Sequence, residues 1–147
     1  MKLNNSQKIR PIKVDVWAVL HLPLPGDEMH DLIRHQMPYL SFEPLAGMLG
    51  MDEKMLSRCL EISLPTLFQR AKTGHFSFRE SRCLYMLVTV IQASCDLFEG
   101  NVQASRSFLF SPSRHLHSTS PLEVLRRVDD ASTIIDFIGR LEHGVLL

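Results

Sequence analysis

The strongest constraint on the fold is a long helical signal that begins at Ser77. Ser77 and Glu80 have the spacing of a capping box, in which serine and glutamate side chains each accept a hydrogen bond from the other's backbone N–H. The apolar residues that follow are spaced 3, 1, 3, 4 and 3 residues apart, as on one face of an α-helix: Leu84, Leu87, Val88, Ile91, Cys95 and Phe98. This helix, predicted to stop at Gly100, needs other elements to cover its apolar face.

Predicted N-caps of further helices lie before and after this long helix. Asp52 and Ser63 are predicted N-caps of two short helices, and Ser41 of another. Ser120 and Glu123 form a second predicted capping box, whose helix runs through about residue 127. A last helix, capped by Asp129 or Asp130, carries a stripe of apolar residues: Ile134, Ile138, Leu141 and Val145. No series of alternating strands is present, so the sequence predicts an all-α fold.

Composition excludes several classes of protein. The chain has 147 residues, of which 45% are apolar and 22% charged, which suits one compact domain or two small ones sharing a core. The formal net charge is zero, so no overall field recruits nucleic acid or a membrane. No apolar run approaches a bilayer span and no signal peptide is recognised. We therefore expect a cytoplasmic, reduced protein whose three cysteines form neither disulfides nor a zinc site.

The middle of the chain is locally basic. Residues 54–82 contain six basic and two acidic residues, whereas the flanking segments are each more acidic than basic. In this region the helices predicted at 52–60 and 63–73 resemble a helix-turn-helix in length and in the tight turn that joins them. If Leu64, Leu67 and Phe68 or Ala71 face inward, the candidate DNA-binding residues face outward: Ser63, Thr66, Gln69, Arg70 and Lys72. The alternative is a plain helical hairpin with a solvated charged face.

Catalytic and cofactor motifs are not found. The chain has no Gly-x-Ser-x-Gly, no glycine-rich phosphate loop and no His-Glu-x-x-His, so an enzyme is disfavoured. His115 and His117 have no carboxylate or cysteine at a suitable ligand spacing, and we interpret them as solvated loop residues. We expect neither a cofactor nor a metal.

Two ordered series of residues resemble the MbcA/ParS/Xre antitoxins over roughly residues 45–147. The first resembles the helix-turn-helix part of those proteins: Ile62-Ser63, Thr66-Leu67, Arg70, Lys72, Gly74, Ser77 and Glu80-Ser81. The second resembles their C-terminal toxin-binding domain: Phe98, Gly100, Ala104, Phe108-Leu109, Pro112, Leu116, Ser120-Pro121-Leu122, Leu125, Ala131, Arg140, Glu142 and Gly144-Val145. The family usually has two arginines where this chain has Gln69-Arg70, and Trp-Leu where it has Phe108-Leu109.

The resemblance implies the antitoxin of a type II toxin–antitoxin pair. Such an antitoxin blocks the active site of a RES-domain toxin, which consumes NAD, and represses its own operon by binding operator DNA, typically as a homodimer within the larger complex. We predict three parts: an N-terminal extension of unclear role (1–40), a helix-turn-helix domain (41–98) and a toxin-binding domain (99–147). The alternative is a DNA-binding regulator or adaptor without a toxin.

The last residues are the predicted toxin contact. Gly144 is followed by an apolar tail, Val145, Leu146 and Leu147, which we expect to enter the cleft of the toxin. Arg140, Glu142 and His143 precede the tail and would contact the charged residues of the toxin. The alternative is that the tail folds back over its own helix, because Val145 continues the apolar stripe of that helix.

Overall fold

The computed structural model describes residues 14–128 and 131–144, and in this part of the chain it is helical without a β-strand. The all-α prediction is therefore confirmed. The helices are α1 (Val16–Val19), α2 (Asp27–Arg34), α3 (Phe42–Met48), α4 (Glu53–Cys59), α5 (Leu64–Thr73), α6 (Phe78–Leu97), α7 (Val102–Phe110), α8 (Pro121–Val128) and α9 (Ser132–Glu142). Two short 3₁₀ turns lie at Tyr39–Ser41 and Arg114–Leu116.

Helix α6 is the centre of the packing. Its predicted capping box is present: the Ser77 hydroxyl accepts from the N–H of Glu80, and Glu80 accepts from the N–H of Ser77 at 2.8 Å. The predicted stripe is buried from Leu84 to Cys95, and helices α1, α2, α7 and α9 pack against α6. The helix ends at Leu97, earlier than the predicted stop at Gly100, and Phe98 is its C-cap.

The N-terminal segment is held to α6 by one side chain. The carbonyl of the Gln92 side chain accepts from the N–H of Val16 at 2.7 Å, and its amide group donates to the carbonyl of Val14 at 2.8 Å. Trp17 is buried, and its ring centre lies 5.7 Å from that of Tyr85. A segment without a clear sequence signal is therefore part of the hydrophobic core.

Arg106 connects helix α7 to the end of helix α3. Its guanidinium donates to the carbonyl oxygens of Gly47 and Met48 at 3.2–3.3 Å, which are among the carbonyls left without helical partners where α3 ends. The next turn requires Gly50, whose φ is +71° and where an added Cβ would lie 3.1 Å from the Arg106 guanidinium. This contact joins the residues before the helix pair to the C-terminal part.

The helix starts were predicted with mixed success. The second capping box is present, since Ser120 and Glu123 each accept a hydrogen bond from the other's backbone N–H at 3.2 Å. Ser41 occupies the predicted N-cap position of α3 but makes no cap hydrogen bond with its side chain: its hydroxyl donates to the carbonyl of Pro38, because the residue also ends the 3₁₀ turn that precedes α3. The caps predicted at Asp129 or Asp130 lie outside the described residues.

Candidate nucleic-acid and partner interfaces

Helices α4 and α5 form the predicted pair. Asp52 caps α4 by accepting from the N–H of Met55 at 2.8 Å, and Ser63 caps α5 by accepting from the N–H of Thr66 at 3.3 Å. Between the helices, Glu61 adopts a left-handed conformation with φ of 59°. Gly74 ends α5 in the same conformation, with φ of 90°. The predicted bounds of both helices are thus confirmed to within one residue at each end.

The face that α5 buries is narrower than the sequence indicated. Leu67 is only 2% exposed and is the one side chain of α5 that is fully in the core. The site prediction depended on Leu64, Leu67 and either Phe68 or Ala71 facing inward, but Leu64 is 39% exposed, Phe68 is 57% exposed, and Ala71 is exposed as well. The helix has this single buried side chain because it lies at the edge of the core. It contacts α4, which precedes it in the chain, and the start of α6, which follows it.

Arg70 forms an ion pair with Glu80. Its guanidinium donates to both carboxylate oxygens of Glu80, from Nε at 2.8 Å and from Nη2 at 3.2 Å. The two side chains are 25% and 17% exposed. Burial raises the pKa of Glu80, but the hydrogen bonds from Arg70 and Ser77 outweigh burial and leave the pKa below its ordinary value. The Arg70 charge therefore has a partner within the protein, which joins α5 to the capping box of α6.

The other predicted DNA-binding residues differ in how far they are exposed to solvent. Gln69 and Lys72 are exposed on α5. The Ser63 hydroxyl is exposed but donates to the Thr66 hydroxyl at 2.9 Å. Further cations are exposed on α4 and at the start of α6 and were not singled out as site residues: Lys54, Arg58, Arg79 and Arg82. In the sequence they were indicated only by the excess of basic residues in 54–82. Such an excess predicts a basic region but does not show which of its residues share one surface.

A groove of about 550 Å³ separates this helix pair from α8. Its floor is apolar and includes Leu56, Leu60 and Leu125, and its rim carries Arg79 and Arg126. The groove was not predicted, because it forms between segments that are about 40 to 70 residues apart in the sequence. It lies where the helix pair borders the C-terminal part of the chain.

The end of α9 presents the predicted partner residues. Ile134, Phe137 and Ile138 are buried on α9, whereas Arg140, Glu142, His143 and Gly144 are exposed. His143 caps the helix, and its N–H donates to the carbonyl of Gly139 at 3.1 Å. Gly144 has φ of +66°, a left-handed conformation that favours glycine. The apolar tail, Val145, Leu146 and Leu147, lies outside the described residues.

An aromatic groove of about 400 Å³ lies beside α9. Phe108 stacks on Phe137 at a ring-centre distance of 5.9 Å, and Phe98 lies 5.5 Å from Phe108 on the other side. Leu141, three residues before Gly144, also lines the groove. The exposed His115 ring also borders it, 6.3 Å from the Phe137 ring. The sequence placed Phe98 on the apolar stripe of the long helix and did not indicate an open groove.

The described part of the chain contains neither a grouping of residues for a metal site nor a membrane-spanning helix. Within residues 14–128 and 131–144, no three His, Cys, Asp or Glu residues are grouped so as to hold a metal ion. In the same ranges no helix has both the length and the apolar composition that crossing a membrane requires. The described fold thus defines an all-α chain in which a basic helix pair precedes a small helical C-terminal part.

Comparisons with known proteins show which proteins this chain is similar to. Residues 95–144 match the family model described as the antitoxin Xre/MbcA/ParS C-terminal toxin-binding domain. A protein named Antitoxin Xre from Yersinia enterocolitica (serotype O:8 / biotype 1B) is 35% identical over 77 residues, which is 52% of either chain. Another Antitoxin Xre, from Photorhabdus laumondii subsp. laumondii, is 22% identical over 133 residues, 89% of this chain and 90% of that relative.

The resemblance of the sequence to the MbcA/ParS/Xre antitoxin family is therefore confirmed, since residues 95–144 match the toxin-binding domain of that family and both relatives are named antitoxins. The family model covers α7, α8, α9 and the whole of the aromatic groove. The Yersinia relative, in contrast, is matched over only about half of its length.

Proposed function

We propose that this chain is an antitoxin of a toxin–antitoxin pair and that it neutralises a protein toxin through residues 99–147. The observation that carries this proposal is the match of residues 95–144 to a toxin-binding domain, together with two relatives that are both named antitoxins. The partner is a RES-domain toxin that consumes NAD, as the family resemblance implies. The protein acts in the cytoplasm, without a cofactor and without catalysis of its own.

The toxin contact is centred on the end of α9. Arg140 and Glu142 are exposed there with opposite charges, and they face the charged active-site residues of the toxin. Beyond Gly144, the apolar tail enters the cleft of the toxin. Burying two or three aliphatic side chains contributes several kcal/mol, at roughly 1.5–3 kcal/mol each, before the cost of ordering the tail is subtracted.

Co-expression with the product of the adjacent gene tests this assignment. We expect the full chain to restore growth and the cellular NAD level, and a chain without Val145–Leu147 to fold but not to protect. Asp136→Ala is the matched control, because Asp136 is an exposed acid on α9 that precedes the proposed contact. Equal protection by the truncated chain would refute the role of the tail. Unchanged NAD with a toxic partner would refute the RES assignment alone.

We also propose that the α4–α5 pair binds operator DNA, and that the protein does so as a homodimer within the toxin complex. Support comes from the five exposed cations on α4, α5 and the start of α6: Lys54, Arg58, Lys72, Arg79 and Arg82. In the same segment, the acidic Glu80 is neutralised by Arg70. A surface of this charge suits the phosphate backbone. Residues 41–98 would be the DNA-binding part, and residues 1–40 a supporting extension.

The salt dependence of DNA binding tests this second activity. Each phosphate contact that is removed flattens the slope of log K against log salt by about one unit. We expect this change for Lys72→Ala and no change for Asp136→Ala. If the wild-type protein binds DNA but never binds the adjacent gene product, the chain is a regulator without a toxin, and the antitoxin proposal is refuted.

A further inference from the structure

Phe68 lies in an unusual position on α5. Although its side chain is apolar, the residue is 57% exposed. At 100° per residue, Phe68 points about 100° away from the buried Leu67. Lys72 and the exposed Leu64 each lie about 40° from it, on opposite sides, and Gln69 lies about 100° away on the side of Lys72. The outward face of α5 is therefore not purely polar. It combines an aromatic ring, an amide and a cation, all of which are exposed.

The charges around this face favour one kind of occupant. Lys72 lies one turn after Phe68 on α5, and the nearby start of α6 carries exposed Arg79 and Arg82. Of the two acids in residues 54–82, Glu80 already pairs with Arg70, and Glu61 is exposed in the turn before α5, so the cations outnumber the acids at this face. A second copy of this chain would bring the same cations against themselves, whereas a polyanion would be attracted. Nucleic acid is thus the partner that matches the charge of the face around Phe68.

We propose that Phe68 determines DNA specificity by contacting the C5-methyl group of a thymine in the major groove. The inference rests on the proposed DNA binding by α4–α5 and adds a base-reading residue to it. Apolar side chains recognise thymine through this methyl group, which none of the other three bases carries. Gln69, the next residue, has the amide that pairs with N6 and N7 of adenine. Together the two side chains select a site that contains A·T pairs.

Replacement of thymine by uracil in the DNA tests the proposal directly, because these two bases differ only in the C5-methyl group. The probe is the duplex upstream of the gene for this chain, amplified once with thymidine and once with deoxyuridine triphosphate. We expect the wild-type protein to bind the thymine duplex more tightly, by about fourfold for each thymine methyl group that the ring touches, as for burial of one methylene-sized group. Phe68→Ala should bind both duplexes equally.

The matched control is Phe110→Ala. Phe110 is 42% exposed on α7, so its removal changes the protein surface by a similar amount without touching α5. This variant should keep the preference for thymine. Lys72→Ala should weaken binding to both duplexes and keep their ratio, since a phosphate contact does not distinguish the bases. Circular dichroism of each variant establishes that it is folded.

Several outcomes would overturn the inference. Wild-type protein that binds both duplexes equally refutes the methyl contact and leaves DNA binding intact. A preference for thymine that survives Phe68→Ala shows that another residue is responsible. If Phe68→Ala instead converts a dimer to a monomer in sedimentation without changing the thymine ratio, the ring belongs to a contact between copies. If neither duplex is bound at low salt, the proposed DNA binding and the methyl contact fail together.

Discussion

Replacement of Arg70 by alanine should destabilise the protein, although Arg70 lies on a helix near the surface. The change removes two charge-assisted hydrogen bonds and leaves Glu80, which is 17% exposed, without its cation. Hydrogen bonds to charged groups contribute roughly 1.5–3 kcal/mol, and partial exposure of Arg70 places this pair in the lower half of that range. We therefore expect a loss of about 2 kcal/mol in the free energy of unfolding, or about 4–8 °C in Tm.

Chemical denaturation at several pH values measures this effect. Because the pKa of Glu80 in the folded protein is below its ordinary value of 4.5, the pair stabilises the fold fully above that value. The stabilisation is lost as the pH falls through the lowered pKa. The difference between the wild type and Arg70→Ala should accordingly be constant near neutral pH and shrink below about pH 4.5. Arg70→Lys should recover only part of it, since lysine cannot donate to both oxygens in a fixed fork.

Lys72→Ala is the control, because Lys72 is an exposed cation on the same helix. Surface substitutions of this kind usually change stability by less than about 0.5 kcal/mol. If Arg70→Ala is no more destabilising than Lys72→Ala, the ion pair does not hold α5 to α6. A difference that persists undiminished at pH 3 would show that Arg70 acts through packing rather than through the Glu80 carboxylate.

Three further predictions concern other contacts. Gly50→Ala should cost about 1–2 kcal/mol, because alanine resists the left-handed conformation, and thermal melting measures the loss. Arg106→Ala should cost about 1–2 kcal/mol by removing the donors to the end of α3, and a change below about 0.5 kcal/mol in urea would contradict this. Burial and the Glu53 carboxylate raise the pKa of Tyr39 from 10.0 to about 12, so stability should fall as the pH rises through that range. Tyr39→Phe should not show this decline, and ultraviolet titration would detect the late ionisation.

Local patterns predicted the helices well. The capping boxes at Ser77 and Ser120 depend on side chains three residues apart, so the sequence contains the whole interaction. The same holds for the N-caps Asp52 and Ser63. The bounds of α4, α5 and α8 followed from these signals to within one or two residues. The apolar stripe of α6 was predicted because each of its members lies on the same short segment.

Contacts between distant segments could not be predicted in this way. Arg70 was expected to face DNA, because nothing in its own helix indicates that Glu80, ten residues later, comes within 2.8 Å. The exposure of Leu64 and Phe68 depends on which neighbours α5 has, and their apolar character alone favoured burial. The contact of Arg106 with the end of α3 spans 58 residues. The roles of the predicted DNA-binding residues in the middle of the chain and of the toxin-binding residues at its end remain predictions.

The side chain of Gln92 has a consequence for how the N-terminal segment can dock. Its carbonyl oxygen accepts from Val16, while its amide nitrogen donates both to Val14 and to Asp96, at 2.8 and 3.0 Å. Turning the amide over would place two donors against each other at Val16 and two acceptors against each other at Val14. Glutamate in this position would accept from Val16 but repel the Val14 carbonyl. The two hydrogen bonds to Val14 and Val16 therefore form only when the N-terminal segment lies against α6 in one chain direction and one register. A shift of the segment by a single residue would break both of these bonds.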